Sequence, residues 1–262
     1  MELREVIGHR RSIRFLLPHK PVELEKVQLM LEAARLASHW GNMNSLRALV
    51  IERDKAPKDV IDALPSPVGG YQIQLAPVVI AWYIETEATD HAGERLRQLV
   101  DAGAVGYGDN KYKQLEETLV PMFDKMGDIV KQPGMGEIDC GQGIAQATLM
   151  AFELGLGTCC LGAANPDAIR IKLGLPDSCR MLVTQTVGYP AESPEAGGQR
   201  PRQPFEKLFQ LNGYDNPFPR SQAVVKQLKQ DNMIQAQAPL PWREEELLYL
   251  RRALDLKGEG LI

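Results

Sequence analysis

The stretch Ala76-Pro77-Val78-Val79-Ile80-Ala81-Trp82-Tyr83-Ile84 decides the architecture of this chain. Nearly all of its side chains are apolar, and several of them are β-branched. A strand of this composition, without alternation of polar and apolar residues, is typical of the centre of a sheet that is covered on both faces. We therefore expect a layered domain built around this strand.

The segments on either side of the strand alternate between helical and extended patterns. Residues 22–37 repeat apolar side chains at helical spacing, and residues 138–156 are apolar on most sides and end at Gly155 and Gly157. Strands interspersed with helices in this way give an α+β or α/β domain. The predicted helices lie at about 3–8, 22–37, 94–104, 112–129, 138–156, 165–173, 221–230 and 243–256, and the predicted strands at about 46–52, 76–84, 158–161 and 181–190.

The composition excludes several classes of protein. The chain has 262 residues, 44% of them apolar and 24% charged, and a net charge of -4, which indicates a soluble globular protein that does not bind nucleic acid. No apolar run approaches the roughly 20 residues of a membrane span, and the N-terminus lacks a signal peptide, so we expect a cytoplasmic protein. The cysteines and histidines have no metal-ligand spacing, and we find no nucleophile with an adjacent base. We therefore predict no metal and no catalytic side chain.

Two basic clusters stand far apart in the sequence. They are Arg10-Arg11-Ser12-Ile13-Arg14 and Arg200-Pro201-Arg202, and neither has an acidic partner nearby in the sequence. By itself, the first cluster could be a solvated surface turn. If the fold brings the two together, their guanidinium groups and the Ser12 hydroxyl form a pocket for a doubly charged phosphate. Because the rest of the chain is not basic, this pattern favours a phosphorylated cofactor.

Four stretches, taken in order, match the motifs of one enzyme family. Residues 10–15 match an R-R-S-x-R-x-F opening with the aromatic residue one position earlier, and residues 37–44 occupy the place of an A-P-S-x-x-N-x-Q-P-W segment. Residues 138–159 match a helix that ends in L-G-L-G-T-C, and residues 187–202 match G-Y-P-A-E with a basic pair. Through these motifs, residues 3–210 resemble the FMN-dependent nitroreductases. The resemblance implies a three-layer α-β-α fold of the α+β class, with a mixed, mainly antiparallel sheet, and a homodimer.

The same resemblance divides the chain into two parts. Residues 1–210 would form the FMN-binding domain, and residues 211–262 a C-terminal helical extension. The extension carries apolar side chains that a lone subunit would expose, so we expect it to wrap around the partner subunit. The alternative is that the extension packs back on its own domain.

The resemblance also assigns roles within the FMN site. It gives Ser12 and the arginines of both clusters to the phosphate, except that Arg14 would lie near the N1 and C2 carbonyl edge of the flavin, where a cation stabilises the reduced ring. The turn at 161–162 would approach flavin N5. The candidate cofactor-binding residues are Arg10, Arg11, Ser12, Arg14, His39, Asn42, Asn44, Leu161, Gly162, Arg200 and Arg202.

The loop at 38–45 departs from the family pattern. Ser38-His39 stands where relatives carry Pro-Ser, and Asn44 replaces a Gln. The resemblance implies that this loop is donated to the partner's FMN, where Asn42 and Asn44 can hydrogen-bond flavin or ribityl groups. His39 is either a proton donor or a solvated loop residue. Outside this loop, Gln72 and Gln74 are further candidates for contacts to the ribityl chain or the pyrimidine.

The resemblance implies an FMN-dependent NAD(P)H oxidoreductase that reduces a nitro, quinone or related small acceptor by ping-pong hydride transfer through flavin N5. No G-x-G-x-x-G follows a strand, so we do not expect a separate nicotinamide domain. Two alternatives stay open: a non-catalytic FMN-binding or storage protein, and a specialised member that consumes its flavin or removes halogen from a substrate. The sequence indicates neither the physiological acceptor nor a choice between NADH and NADPH.

Overall fold

A computed structural model describes residues 1–65, 68–163 and 165–258. The α-helices are α1 Leu3–His9, α2 Leu24–Arg35, α3 Lys58–Ala63, α4 Tyr71–Leu75, α5 Ala92–Asp101, α6 Lys111–Gln114, α7 Val120–Lys131, α8 Met135–Glu153, α9 Pro166–Lys172, α10 Phe205–Leu208, α11 Gln222–Gln230 and α12 Arg243–Ala253. The strands are β1 Leu46–Glu52, β2 Val78–Glu85, β3 Gly157–Leu161 and β4 Cys179–Gly188. Short 3₁₀ turns lie at Trp40–Asn42 and Thr86–His91, and a π turn lies at Leu115–Leu119.

The four strands form one sheet in the order β1-β2-β4-β3, and each neighbouring pair is antiparallel. The expectation that residues 76–84 lie at the centre is confirmed, because β2 pairs with β1 on one side and β4 on the other. Parallel pairing is limited, near the sheet, to an isolated bridge between Ser12 and Thr158. This bridge joins the first basic cluster to the edge strand β3.

The two faces of β2 are buried in two separate hydrophobic clusters. Val78, Ile80 and Trp82 pack with side chains of α2 and α8, whereas Val79 and Ala81 pack with side chains of α3, α4 and α9. Successive side chains of a strand point to opposite faces, so an all-apolar strand can be buried on both. The result is a sheet between two helical layers, as the three-layer α+β prediction requires.

The predicted helices and strands are present, with boundaries shifted by a few residues. The helices α3, α4 and α10 were missed because each has only four to six residues, too few for a helical repeat of apolar side chains to show. The segment between β2 and α8 forms a small helical layer with a core of its own, in which Leu96 and Phe123 pack with Met43 of the 38–45 loop.

The C-terminal extension packs on its own chain. Leu250 of α12 is buried against Phe15 and Leu75, and Asp231 pairs with Arg4 of α1 at 2.6 Å. Wrapping around a partner stays a prediction, because the structure describes a single subunit. No helix in the described ranges has both the length and the apolar composition that crossing a bilayer requires.

Candidate functional site

The loop at residues 10–15 is fixed to the sheet by its backbone. The Ile13 amide donates to the Thr158 carbonyl at 2.9 Å, and this close approach explains the glycine that begins β3. A Cβ on Gly157 would lie 2.7 Å from Cγ2 of Ile13, closer than van der Waals contact allows. The L-G-L-G-T-C motif therefore supplies, among other things, the space that the first basic cluster needs against the strand.

A buried carboxylate holds the other end of this loop. Oε1 of Glu192 accepts hydrogen bonds from the amides of Arg14, at 2.5 Å, and Phe15, at 3.1 Å. Its Oε2 lies 2.7 Å from the Arg243 guanidinium of α12, and the Glu192 side chain is only 1% exposed. The G-Y-P-A-E motif thus ends in the residue that orients the backbone beside Arg14.

The fold brings the two basic clusters together. Burial lowers the pKa of Arg11, and the neighbouring charges of Arg10 and Arg200 lower it further. Burial also lowers the pKa of Arg200, and the charge of Arg14 adds to that effect. Like charges act on one another in this way only at short range. The second cluster, including Arg202, therefore lies beside the first.

These clustered arginines lack carboxylate partners. Among the residues that the structure describes, none of Arg10, Arg11, Arg14, Arg200 and Arg202 forms an ion pair, whereas the nearby Arg243 has two. Within the described part of the chain, the guanidinium of Arg200 donates only to the Ala196 carbonyl at 2.9 Å, and that of Arg202 only to the Pro201 carbonyl at 3.1 Å. Clustered cations that no protein carboxylate neutralises are suited to an anionic ligand, so this donor set fits the phosphate of FMN.

Arg11 differs from the other clustered arginines because most of the donors of its guanidinium are bonded to the protein itself. Its guanidinium donates to the carbonyls of Gly8 at 2.6 Å and Gly198 at 3.2 Å, and to the side-chain oxygen of Gln235 at 2.7 Å. The guanidinium also donates to the carbonyl of Arg10. Arg11 is only 5% exposed. Four of its five N–H donors are therefore used within the protein, which favours a structural role for Arg11, and its predicted contact with the phosphate stays a prediction. It joins the two loops and the extension.

Arg10 and Ser12 face an open cavity between β3 and α8. The cavity has a volume of about 330 Å³, and its other lining residues include Thr148 and Cys160. Arg14 lies near Tyr71 of α4, since its charge opposes the rise that burial causes in the pKa of that phenol.

The loop at 38–45 lines a different cavity. His39 and Asn44 face an open space of about 360 Å³ beside β1, which shares no lining residue with the first cavity. A single chain therefore does not unite this loop with the arginines. The side-chain Nδ2 of Asn44 donates to the backbone carbonyl of Asn42 at 2.6 Å. Both asparagines have a positive φ, which Asn tolerates better than most residues.

Burial lowers the pKa of His39, and its Nδ1 has no hydrogen-bond partner among the described residues. Burial therefore disfavours the charged form of the imidazole, and the side chain is half-buried rather than fully solvated. Of the two further candidates, Gln72 is buried with Oε1 unpaired within the described ranges, whereas Gln74 is exposed.

Leu161 and Gly162 stand at the end of β3. Leu161 is buried, and its carbonyl accepts a hydrogen bond from the Thr184 hydroxyl at 3.3 Å. Gly162 is exposed, and a Cβ there would meet nothing within 4 Å. The surrounding protein therefore does not require glycine at this position, which leaves open space for a ligand to approach the backbone.

Comparison with known proteins identifies the family. A family model described as the nitroreductase family matches residues 7–189. The chain belongs to the nitroreductase family. It is 26% identical over 198 residues to an NADPH-dependent oxidoreductase of Staphylococcus aureus, an alignment that covers 75% of this chain and 68% of that protein. It is 33% identical over 109 residues to an NADPH-dependent oxidoreductase of Staphylococcus haemolyticus, with 40% and 43% covered.

Solved structures share the nitroreductase fold at low identity. A protein from Exiguobacterium sibiricum, described as a nitroreductase in complex with FMN, matches with a TM-score of 0.63 and 22% identity, over 81% of this chain and 98% of its own. The enone reductase CLA-ER, of gut-bacterial fatty acid saturation, matches with a TM-score of 0.65 and 17% identity, with the same coverage. The predictions of the family and of the α+β fold are confirmed, and FMN is the cofactor of this family.

Sequence reasoning missed two features of this nitroreductase. The first is the pair formed by Glu192 and Arg243, whose partners are about fifty residues apart in the sequence. The second is a stack of Trp40 on Phe123, with ring centroids 4.3 Å apart, which joins the 38–45 loop to α7. No local sequence pattern predicts either contact. The motif that ends in Glu192 was the one available signal.

Proposed function

We propose that this nitroreductase is an FMN-dependent NAD(P)H oxidoreductase that reduces a small organic acceptor. The observation that carries the proposal is the group of arginines beside β3, which converge from two distant parts of the chain without ion-pair partners in the described ranges. The names of curated relatives support NADPH as the electron donor. Bound FMN supplies the chemistry of this reaction, since its ring accepts and donates a hydride.

The residues of this chain bind and tune the cofactor. Arg10, Ser12, Arg200 and Arg202 bind the phosphate through charge-assisted hydrogen bonds. Arg14 supplies a positive charge to the electron-accepting edge of the ring, which favours the reduced form. Arg14 suits this role because Glu192 fixes its backbone, while its guanidinium forms a single hydrogen bond with the described residues, to the Ser12 carbonyl at 3.2 Å.

The proposed active form is a homodimer. Since the 38–45 loop and the arginines line different cavities of one subunit, the loop of one subunit completes the site of the other. This arrangement gives Asn42, Asn44 and His39 their contact with the flavin. Because no described side chain is placed for covalent catalysis, the residues of this chain would hold and orient the flavin and its substrates without bonding to them.

The proposal is tested first by binding. Purified protein is expected to be yellow, and the released chromophore is expected to be FMN. Stripped protein is then titrated with FMN and with riboflavin, which lacks the phosphate, while flavin fluorescence is followed. Wild type should prefer FMN, and Arg200→Met and Arg202→Met should each reduce that preference by about tenfold, because each removes a charge close to the phosphate.

Arg251→Met is the matched control, because Arg251 is exposed on α12 and forms no ion pair in the described part of the chain. Equal affinity for FMN and riboflavin in wild type would contradict the phosphate site. Turnover is measured anaerobically as NADPH oxidation with a quinone or a nitroaromatic compound. Bound FMN without turnover on any such acceptor would instead show a flavin-binding protein that is not a reductase.

A further inference from the structure

The C-terminal extension contacts both loops that carry the clustered arginines. Gln235 accepts a hydrogen bond from Arg11 at 2.7 Å, and the amide of Gln199 donates to the Ala236 carbonyl at 2.9 Å. On α12, Oε1 of Glu246 accepts from the amide of Ser193 at 2.6 Å. The family match ends at residue 189, so this extension lies beyond the part of the chain that the family model describes.

The extension also forms an ion pair between buried groups. Arg243 lies 2.7 Å from Glu192 and 2.6 Å from Glu246, and the side chains of Arg243 and Glu192 are 11% and 1% exposed. An unpaired charge in such a position is costly, so each of these groups needs the others.

Glu192 is also close to the arginines of the anion site. Its negative charge raises the pKa of Arg200, an effect that opposes burial. Its Oε1 is bonded to the amide of Arg14 itself. A carboxylate in this position competes with a phosphate for the same guanidinium groups unless another cation neutralises it.

We propose that Arg243 is a positioning residue for the cofactor, which neutralises Glu192 and thereby leaves Arg200 free to bind an anion. The inference rests on the proposed function, since the anion is taken to be the FMN phosphate. The extension then acts in the same subunit as the phosphate loops, and it supplies a cation that never touches the cofactor. Arg243 then affects cofactor binding through its charge as well as through its packing.

A charge cycle separates the two effects. Four stripped proteins are titrated with FMN: wild type, Arg243→Met, Glu192→Gln and the double variant. Arg243→Met leaves the carboxylates of Glu192 and Glu246 without their cation and makes the net charge beside the site more negative by one unit. We expect the Kd for FMN to rise by about ten- to twentyfold, as for one unit charge at about 10 Å and an effective dielectric of about 20. The double variant loses one cation and one carboxylate together and so keeps the net charge of wild type, with Glu246 still ionised. Its Kd should therefore return to within about threefold of wild type.

Arg252→Met is the control, because it removes the same charge from an exposed position on the same helix, and its Kd should match that of wild type. Thermal unfolding of each stripped protein shows whether the fold has survived. If the double variant binds FMN as weakly as Arg243→Met does, Arg243 acts only by packing and the inference fails. If Arg243→Met binds FMN as wild type does, the inference fails as well. If wild type does not bind FMN at all, the proposed function fails first.

Discussion

Replacing Arg11 with methionine separates a structural arginine from the cofactor-binding ones. The substitution removes the donors that now reach the carbonyls of Gly8 and Gly198 and the Gln235 side chain. A buried acceptor without a partner costs roughly 1–3 kcal/mol. Water reaches some of these groups after relaxation, so we expect a total loss of about 3–5 kcal/mol, which is a large part of the roughly 5–15 kcal/mol that stabilises a typical protein.

The loss is measured as a shift of thermal unfolding in the stripped protein. The unfolding entropy of a chain of this length is about 0.55 kcal/mol per kelvin, so the expected fall in Tm is roughly 5–9 °C. Arg202→Met is the matched comparison, because Arg202 is exposed and, among the residues that the structure describes, its side chain donates only to the adjacent Pro201 carbonyl at 3.1 Å. Its Tm should stay within about 1 °C of wild type, since exposed substitutions cost little, while its preference for FMN over riboflavin falls.

The two variants should therefore show opposite patterns. For Arg11→Met, the FMN affinity of the fraction that remains folded at 10 °C should fall less than that of Arg202→Met. The reasoning would be refuted by an Arg11→Met protein that is as stable as wild type but no longer discriminates FMN from riboflavin. In that case the guanidinium binds the phosphate, and its bonds to carbonyls do not stabilise the fold.

The remaining predictions concern a glycine and a histidine. Gly162→Ala should leave Tm unchanged and weaken FMN binding, because its methyl group meets no atom of the subunit; unchanged affinity in the titration would place this turn away from the flavin. Gly157→Ala, with its Cβ 2.7 Å from Ile13, should instead lose roughly 1–3 kcal/mol in denaturant unfolding. Burial lowers the pKa of His39, so the unfolded chain takes up a proton first as the pH falls below about 6.5, and stability declines from there down to the folded-state pKa. His39→Gln should remove this decline from the plot of unfolding free energy against pH. Identical plots for the variant and wild type would show that the histidine is not buried in its neutral form.

Much of the fold could be predicted because its signals are local. In the run at 76–84, the residues that point to either face of the sheet are apolar, and the structure buries both faces. The cap at Asn165, whose side chain accepts from the Ala168 amide at 3.0 Å, is read from three consecutive residues. The short helices α3 and α4 were not predicted, because five or six residues do not complete two helical turns.

The site was only partly predictable, because the role of an arginine depends on what surrounds its guanidinium. Arg10, Arg11 and Arg14 look equivalent in the sequence, and the motif gives all three to the cofactor. The structure separates them by the carbonyls within reach: Arg11 faces those of Gly8 and Gly198, which come from segments nearly two hundred residues apart. No pattern within the R-R-S-x-R-x-F motif contains that information.

The same reasoning explains why the extension could not be interpreted from its apolar residues alone. Leu250 and its neighbours suggested a surface that needs covering, and in one subunit Phe15 and Leu75 cover part of it. The polar contacts carry more specific information, since Arg243 pairs with Glu192 and Gln235 accepts a hydrogen bond from Arg11, each in one of the two loops that hold the arginines. A segment whose purpose was dimerisation alone would have no need of a buried cation beside Glu192. The position of that cation instead links the extension to the affinity of the site for its anion.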